Sequence, residues 1–550
     1  MITADRLDRD EQLARMGGEQ FDVAVIGGGI NGAAIARDGA MRGLRMALIE
    51  RDDFAGATSS RSSKLIHGGL RYLPQRQFRL VREALAERER LRHVTAPHLV
   101  RPINFIFPVY GGRRPSRLTL SAGLSIYDAF ARTAPLERHR WIPRGALISR
   151  SPRLDRATLK GGVSYFDGWA DDARLTIENM LDAAANGAAV ANYLEVTGFE
   201  RAGGRIVAAP LRDRIGGANI ELRSKVFINA SGPWTDIVRR LDEPGVPSAI
   251  RLTKGVHIVF DRAALPLGEA LVMAGGDGRI VFATPHASSV IVGTTDTDFD
   301  GDPATVAAAA DDVGYLIDFM HGFIVDSPGT ANVLVSYAGL RALTSTVIGR
   351  APSSVSREQT ILTSAAGLIS VAGGKLTTHR AIAEQVIALA LSTLGKPVEP
   401  SPTLTTPLPG ARPIESHEKV AKPPNLEANI WRILIDRYGS RAEIVARIVD
   451  ERPGLEHPLA DGVPAIGAEV VFAVRHEMAR TLADFMIRRT SLNWRAPRQF
   501  GLAARRAAAI MGVEMGWDDR KIAYEIASLV AAEPGPESTV AAENYEHARE

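Results

Sequence analysis

Residues 21–50 constrain the fold more than any other stretch of the chain. An apolar run leads into the spacing G-x-G-x-x-G at Gly27, Gly29 and Gly32, a helical pattern follows, and a second apolar run ends at Glu50. These glycines permit, in order, a tight turn, the close approach of a pyrophosphate to the backbone, and close packing of helix against strand. The pattern predicts a βαβ dinucleotide-binding unit, with the pyrophosphate on the N–H groups and positive dipole end of the helix.

Glu50 lies about 20 residues beyond the glycines, where a carboxylate accepts hydrogen bonds from a ribose and disfavours a 2′-phosphate. At this point the residues do not say which dinucleotide binds. We expect contacts from Gly27, Gly29, Ile30, Asn31, Gly32 and Glu50.

Composition excludes several classes of protein and of site. The net charge of +3 is too small to indicate a nucleic-acid partner. The chain has no cysteine, which excludes disulfides, thiolate-bound zinc or iron–sulfur clusters and a cysteine-linked flavin, and no metal site is predicted. There is no run of 18 apolar residues, and residues 1–20 lack the apolar core of a secretory signal. The absence of cysteine fits a cytosolic protein.

Three further segments rich in small residues follow predicted strands. The loop of residues 51–73 leaves the carboxyl end of a strand, where open α/β sheets bind their ligands, so we favour a cofactor-lining role over a solvated loop. Small-residue turns also follow the predicted strands that end near Ile228 and Ala372. The residues expected to line the cofactor are Thr58, Ser59, Ser60, Ser62, Ser63, Lys64, His67, Gly68 and Gly69 of the loop, Ala230 and Gly232 of the second turn, and Gly374, Lys375, Leu376 and Thr377 of the third.

The periodicity predicts an α/β protein with several parts. Alternating strands suit an inserted antiparallel sheet, a proline-rich stretch suits a linker, and the final third has helical periodicity. The predicted division is an N-terminal extension (1–20, disordered or helical), a discontinuous dinucleotide-binding domain (21–100, 150–235 and 345–395), a substrate-binding or cap domain (101–149 and 236–344), a linker (396–413), a helical C-terminal domain (414–532) and a disordered tail (533–550).

Seven motifs in this order resemble one flavoprotein family. They are VIGGGINGAAIARD, TSSRSSKLIHGGLRYL, DDARL, NASGPW, LTKGVHIV, GTTDTDFDGDP and VAGGKLTTHR. Over residues 21–395 the chain is similar to the FAD-dependent, quinone-linked glycerol-3-phosphate dehydrogenases, of the D-amino-acid-oxidase-like superfamily. The resemblance implies a glutathione-reductase-type FAD-binding Rossmann-like domain, an inserted antiparallel-sheet substrate domain and an α-helical C-terminal domain. It also implies non-covalent FAD and a homodimer.

The resemblance implies that the chain oxidises sn-glycerol 3-phosphate to dihydroxyacetone phosphate by hydride transfer to flavin N5, with electrons passing to membrane quinone. A phosphate dianion favours arginine, whose planar fork bonds two oxygens at once. The positions that the resemblance marks as substrate contacts are Arg71, Tyr72, Arg341, Arg357 and Lys375.

For the hydroxyl proton, His257 is the first candidate, because a neutral imidazole is a suitable base near neutral pH. A core-packed histidine is the competing interpretation, and His67 is the alternative base or a flavin contact. Arg341 could instead stabilise the developing alkoxide. Lys375 and the helix start at Thr377 are expected to stabilise negative charge on the reduced flavin.

Two alternatives stay open: an FAD-dependent oxidase of the same fold that uses O₂ on glycerol 3-phosphate or an amino acid, and a non-catalytic flavoprotein. Residues 101–130 mix aromatic residues with Arg101, Arg113, Arg114 and Arg117, which suits either a solvated loop or a surface that docks on an anionic membrane. The family resemblance implies a cytoplasmic protein attached to the cytoplasmic face of the inner membrane. Ala342 and His379 depart from the proline and tyrosine of the family pattern.

Overall fold

The structure is a computed structural model that describes residues 6–73, 75–112, 115–131, 138–276, 278–344, 359–412, 422–424 and 426–532. Several predicted features lie outside the described residues. They are Arg357, Arg113 and Arg114, the predicted tail at 533–550, and the side chain of Arg71.

The strands have the following bounds: β1 (Gln20–Ile26), β2 (Met46–Ile49), β3 (Leu65–Ile66), β4 (Arg101–Tyr110), β5 (Arg140–Pro143), β6 (Leu159–Trp169), β7 (Ala189–Ala191), β8 (Leu194–Val196), β9 (Glu200–Ala202), β10 (Arg205–Asp213), β11 (Asn219–Asn229), β12 (Ile250–Asp261), β13 (Ala270–Ala274), β14 (Ile280–Pro285), β15 (Ser289–Gly293), β16 (Thr297–Asp298), β17 (Val335–Thr344), β18 (Thr360–Thr363) and β19 (Ile369–Ala372).

The α-helices are α1 (Arg9–Gly18), α2 (Ile30–Met41), α3 (Phe78–Arg90), α4 (Arg117–Phe130), α5 (Arg144–Arg150), α6 (Asp172–Ala185), α7 (Thr235–Asp242), α8 (Ala310–His321), α9 (His379–Thr393), α10 (Ala428–Tyr438), α11 (Ala442–Glu451), α12 (Gly467–Glu477), α13 (Leu492–Arg495), α14 (Phe500–Met515) and α15 (Asp519–Ala532).

The first sheet has the order β18-β19-β11-β1-β2-β7, with β1 parallel to both β2 and β11. Strand β1 is buried on both faces, as an apolar run in a parallel sheet requires. Val23 and Val25 pack with helices α2, α6 and α9, whereas Phe21 and Ala24 pack on the other side with residues of β8, β10 and α1. The predicted βαβ unit and its α/β architecture are therefore confirmed.

The second sheet has the order β16-β12-β15-β14-β13-β4-β6-β3, with β17 beside β12 and β5 beside β6. Its pairings are antiparallel except that between β4 and β13. Period-2 alternation sends Val256, Ile258 and Ala338 into a core closed by α8. Residues 255 and 257 therefore face the opposite side, towards the first sheet.

Strand β6 corrects one predicted boundary. The prediction placed residues 150–235 in the dinucleotide-binding domain, and this segment includes β6. The structure instead pairs β6 with β4 from Arg101 to Tyr110, so it belongs to the second sheet. Strand pairing over this distance in sequence depends on tertiary contacts that the local pattern does not contain.

Helices α10–α15 form two hydrophobic clusters of their own, as expected for a helical C-terminal domain. The stretch predicted as a linker packs against the rest of the chain in its described part: Ser401 and Leu408 are buried, and Gly410 N donates to Glu178 Oε2 at 2.9 Å. The N-terminal extension forms α1, whose Arg9 pairs with Asp213 at 2.7 Å. Among the described residues, no helix combines the length and apolar character needed to cross a membrane.

Candidate active site

The glycine turn after β1 presents backbone N–H groups to a large cavity. Gly29 is the N-cap of α2 and provides no side-chain cap, while Ser59 Oγ accepts from Ile30 N at 2.9 Å. Gly27 has φ +109°, and a Cβ there would come within 2.7 Å of Ala230 O. Only glycine fits this turn, and the amides at the helix start can bind an anion.

Glu50 closes one side of the turn. Its carboxylate accepts from Gly28 N at 2.6 Å and from Asp52 N at 2.8 Å. Burial raises the pKa of Glu50 to about 7, and the two N–H donors oppose that shift. The side chain lines the cavity, where the predicted contact with a ribose stays a prediction.

The serine-rich loop is fixed by a carboxylate on α6. Asp172 accepts from Ser62 N at 3.0 Å, from Ser62 Oγ at 2.6 Å and from Lys64 Nζ at 2.6 Å. We predicted Lys64 as a cofactor contact, but its side chain is buried in this ion pair and does not line the cavity. A buried ammonium needs a paired carboxylate, which explains why the cation turns towards Asp172.

The third turn lies against the first. A Cβ on Gly374 would come within 3.1 Å of Asn31 Nδ2. Thr377 Oγ1 accepts from His67 N at 3.1 Å, so this turn also fixes the end of the serine-rich loop. The ammonium of Lys375 lies 4.2 Å from the ring centroid of Tyr72, a cation–π distance.

These turns enclose one cavity of about 2110 Å³. Pockets for drug-sized ligands measure about 300–1,000 Å³, so this larger space admits a dinucleotide together with a small substrate. Most predicted cofactor residues line it, from Gly27 and Glu50 to Ala230, Gly232 and Thr377. The exceptions are Gly32, Ser60, Lys64 and Gly68.

The exceptions have structural roles instead. A Cβ on Gly32 would lie 1.8 Å from Gly27 O, so this glycine allows the helix to pack on the turn. Gly68 N donates to Tyr127 Oη at 2.8 Å, and Tyr127 in turn donates to the buried Asp167. Ser60 Oγ donates to Ala57 O at 3.3 Å within the loop.

Strands β12 and β17 bring the predicted chemical groups to one face of the second sheet. His257 pairs with Tyr337, Gly255 with Gly339, and Thr253 with Arg341. Directly opposed residues of an antiparallel pair share a face. His257 and Arg341 therefore both face the cavity, as the cavity lining confirms.

Arg341 is held in a fixed orientation at this face. Its Nη2 donates to Thr294 Oγ1 at 2.9 Å, and its Nη1 donates to Thr295 O and Asp296 Oδ1, each at 3.2 Å. A Cβ on Gly255 would lie 2.5 Å from Nη2, so a side chain at that position would displace the guanidinium. The side chain is 20% exposed, and it lines the cavity.

His257 is buried yet borders the cavity. Its Nε2 shares a hydrogen bond of 2.8 Å with Ser63 Oγ, and its ring stacks on Tyr337 with centroids 4.9 Å apart. Its Nδ1 is buried and has no hydrogen-bond partner among the described residues. Burial, followed by the charges of Arg341 and Lys64, lowers the pKa of His257 to about 3, so the ring is neutral at physiological pH.

Sequence reasoning missed Asp172 and Tyr337, and it predicted Ser63 as a cofactor contact but not as a partner of His257. Asp172 orients the serine-rich loop, Ser63 pairs with the histidine, and Tyr337 stacks on it. The motif DDARL contained a signal for Asp172. One acidic residue is enough to cap the helix, so the second is available to bind another group. The pairing of Ser63 with His257 joins positions 194 residues apart and had no local signal.

Comparison with known proteins agrees with this geometry. Residues 22–388 match the family described as FAD dependent oxidoreductase, and residues 401–522 match the C-terminal domain of alpha-glycerophosphate oxidase. Glycerol-3-phosphate dehydrogenase 2 of Mycobacterium tuberculosis is 37% identical over 525 residues, covering 94% of this chain and 88% of that protein. The chain belongs to the FAD-dependent glycerol-3-phosphate dehydrogenase family.

Two other relatives support membership of the glycerol-3-phosphate dehydrogenase family. The Synechocystis glycerol-3-phosphate dehydrogenase is 39% identical over 492 residues, which cover 86% of this chain and 89% of the relative. The crystal structure of the glycerol-3-phosphate dehydrogenase from Bacillus halodurans, complexed with FAD, superposes with a TM-score of 0.78. It is 28% identical and covers 96% of this chain and 97% of its own. The predicted family, fold class and FAD cofactor are confirmed.

The residues present fit FAD. The amides at the start of α2 suit the pyrophosphate, and Glu50 suits the adenosine ribose. Asn31 Oδ1, which is buried at the cavity wall, accepts no hydrogen bond from the residues that the structure describes. Such an orphaned acceptor is expected where a ligand supplies the donor.

His379 replaces the tyrosine of the family pattern without adding a charge to the site. It is buried at the start of α9, and its Nδ1 lies 2.7 Å from Leu376 O, to which it donates. Burial lowers the pKa of His379 to about 4. The departure noted in the sequence therefore leaves a neutral ring behind the Lys375 turn.

The protein is expected to lose stability in acid partly through His379. Its folded pKa lies below the unfolded value of about 6.5, so between pH 6.5 and 4 the unfolded state binds more protons and stability falls as pH falls. The contribution at pH 5 is about 2 kcal/mol. Thermal unfolding at pH 7 and pH 5 measures it. The Tm of His379→Gln should fall less than that of the wild type over this interval, and equal falls would contradict the assignment.

Proposed function

We propose that the protein oxidises sn-glycerol 3-phosphate at C2 to dihydroxyacetone phosphate and passes the electrons through FAD to membrane quinone. The observation that carries this proposal is the common face of His257 and Arg341 on a cavity that the Lys375 turn of the FAD-binding domain also lines. A base candidate and a guanidinium thus border the same space as the residues that fit FAD. Both curated relatives are named glycerol-3-phosphate dehydrogenases, which agrees with this substrate.

Phosphate recognition is assigned to Arg341 and Lys375. The guanidinium provides paired N–H donors in a plane that matches a phosphate, and its contacts with Thr294 and Asp296 fix its direction. Lys375 adds a second positive charge to the lining of the same cavity. Arg71, Tyr72 and Arg357 remain predicted substrate contacts, and of these Tyr72 lines the cavity.

Proton removal is assigned to His257. A neutral imidazole has an acceptor nitrogen, and the hydrogen bond to Ser63 Oγ gives a route for the proton from the cavity wall to Nε2. Tyr337, which stacks on His257, donates from Oη to Ser62 O at 3.2 Å. This bond fixes the position of the histidine ring relative to the serine-rich loop. FAD, when bound, supplies the hydride acceptor. His67 remains the alternative base.

Lys375 and the amides at Thr377 are assigned a second role. The N–H groups at the start of α9 and the ammonium place positive charge at the third turn. This charge would stabilise a flavin that has gained electrons.

Anaerobic titration tests the proposed function. Glycerol 3-phosphate should bleach the flavin absorbance, and a water-soluble quinone analogue should restore it. An unbleached flavin would refute the substrate assignment. Rapid recovery with O₂ and release of peroxide, but no recovery with the quinone analogue, would favour the oxidase instead. Bleaching by an amino acid alone would favour the amino-acid oxidase alternative.

We propose that the cavity mouth docks peripherally on the cytoplasmic face of the inner membrane, where quinone resides. Helix α4 exposes Leu118 (82%) and Ile126 (40%), and Phe78 of α3 is 43% exposed nearby, in edge contact with Phe130. Exposed apolar side chains beside arginines support docking on an anionic surface. Arg113 and Arg114 of the same segment lie outside the described residues. The homodimer stays a prediction, for which light scattering of the purified protein is the direct test.

Leu118→Asp is expected to weaken sedimentation with anionic vesicles several-fold, because it places a negative charge at the apolar contact. Leu502→Asp is the matched control, since Leu502 is 60% exposed on α14 of the C-terminal domain. If both variants sediment with the vesicles as well as the wild type does, α4 is not the docking surface. Binding at low salt should weaken as salt rises.

A further inference from the structure

The helical C-terminal domain contacts the FAD-binding domain directly beside Glu50. Asp53, three residues beyond it, is fully buried and accepts from two consecutive arginines. Arg488 Nε donates at 2.5 Å, and Arg489 donates from Nη1 at 2.8 Å and from Nη2 at 2.9 Å. This is a bidentate arginine–carboxylate pair reinforced by a second guanidinium, the strongest class of charge-assisted contact.

Both arginines are held from the side of the C-terminal domain. They end a π-helical turn that spans Asp484–Arg489. Arg488 Nη2 donates to Asp484 Oδ1 at 2.5 Å, and Arg489 Nη2 donates to Glu477 O at 2.8 Å. The two cations lower the pKa of Asp53 to about 2, so the carboxylate is charged at neutral pH.

The loop that carries Asp53 is bonded to the glycine turn. Ala55 N donates to Gly28 O at 3.1 Å, and Gly28 N donates to Glu50 Oε2 at 2.6 Å. The buried Phe54 lies against Gly28, where an added Cβ would come within 2.6 Å of its ring. Displacement of Asp53 would therefore shift both Glu50 and the turn predicted to hold the pyrophosphate.

A second contact joins the C-terminal domain to the same end of the cavity. Tyr193 lines the cavity, and its N donates to Asp52 O at 2.8 Å. Its hydroxyl donates to Asp484 Oδ1 at 2.6 Å. Arg488 itself lines the cavity. The π-helical turn thus touches the FAD site through a loop, through a tyrosine and directly.

We propose that the C-terminal domain is part of the FAD site, and that Arg489 is a positioning residue that sets FAD affinity through Asp53 and the Glu50 loop. This inference rests on the FAD cofactor and not on the identity of the substrate. A titration of apoprotein with FAD therefore tests it even if glycerol 3-phosphate proves to be the wrong substrate.

The test compares Arg489→Met with Arg174→Met. Arg174 forms another buried bidentate pair between the same two domains, with Glu477 at 2.6 and 2.8 Å, but its side chain bonds to Glu477 and Glu178 rather than to Asp53. Apoprotein of each variant, checked for folding by circular dichroism, is titrated with FAD. We expect Arg489→Met to raise the Kd for FAD at least about tenfold. Arg174→Met should lower Tm but change this Kd by less than about threefold.

A mutant cycle with Asp53→Asn completes the test. If Arg489 acts through Asp53, the double variant should bind FAD no more weakly than the weaker single variant. A Kd for Arg489→Met within about threefold of the wild type, or equal to that of Arg174→Met, would overturn the proposal. If Arg489→Met does not fold, Arg489→Lys keeps the charge and loses the bidentate pair. A wild-type Kd for that variant would overturn the proposal equally, and a clear rise would support it.

Discussion

Replacing Arg341 with alanine is expected to raise KM for glycerol 3-phosphate by about 10²-fold while FAD stays bound. Each charge-assisted hydrogen bond to the phosphate is worth about 1.5–3 kcal/mol, and the guanidinium offers two. The substitution also leaves the Asp296 carboxylate without this cation, which adds repulsion towards a dianion bound nearby. Steady-state kinetics measure the KM, and the flavin content of the same sample shows whether FAD stays bound.

Two variants control for loss of structure around Arg341. Arg341→Lys keeps the charge but loses the fork, so its KM should lie between the wild type and the alanine variant. Asp296→Asn keeps an acceptor oxygen for the guanidinium and removes only the negative charge beside it, so this variant should not raise KM. An unchanged KM for Arg341→Ala would show that the phosphate binds elsewhere, and Arg71, Arg357 and Lys375 would be the remaining cationic candidates.

His257→Gln is expected to lower kcat by about 10²–10⁴-fold, the usual contribution of a positioned general base. Glutamine retains a hydrogen-bonding group near Ser63 but cannot take up a proton. Since the folded pKa of His257 is about 3, its titration should produce no acid limb in kcat/KM between pH 5 and 9. Single-turnover measurement of flavin reduction isolates the proton and hydride transfer from substrate binding and product release.

The variant Ser63→Ala tests whether His257 acts as a base or only packs against its neighbours. If the proton passes through the Ser63 hydroxyl, this variant should lose a substantial part of the rate while His257 keeps its stack on Tyr337. A kcat for His257→Gln close to that of the wild type would assign the proton to another group. His67→Gln would then be the variant to measure.

The glycine motif and strand alternation allowed much of this site to be predicted. Gly27 and Gly29 are constrained by backbone geometry, which local sequence reports directly. In a strand, successive side chains point to opposite faces. Val256 and Ile258 of the run LTKGVHIV face the core, so His257 lies on the other face. These local rules explain why the dinucleotide-binding fold could be predicted, whereas the choice between a core-packed and a cavity-facing His257 needed the structure.

Long-range pairings could not be predicted in the same way. Lys64 resembles a loop cation, and only its proximity to Asp172, 108 residues away, explains its burial. Asp53 and Arg488 are 435 residues apart, and neither lies in a recognisable motif. Strand β6 pairs with β4 and so belongs to the second sheet, whereas the prediction placed it in the dinucleotide-binding domain. Each case depends on tertiary contacts that override local preference.

Anaerobic stopped-flow reduction with glycerol 3-phosphate, glycerol and an amino acid tests the central claim most directly. If Arg341 and Lys375 bind a phosphate beside the base, glycerol 3-phosphate should bleach the flavin with saturating kinetics, and glycerol at equal concentration should reduce it at least about 10²-fold more slowly. Equal rates for glycerol and glycerol 3-phosphate, or reduction by the amino acid alone, would contradict the account.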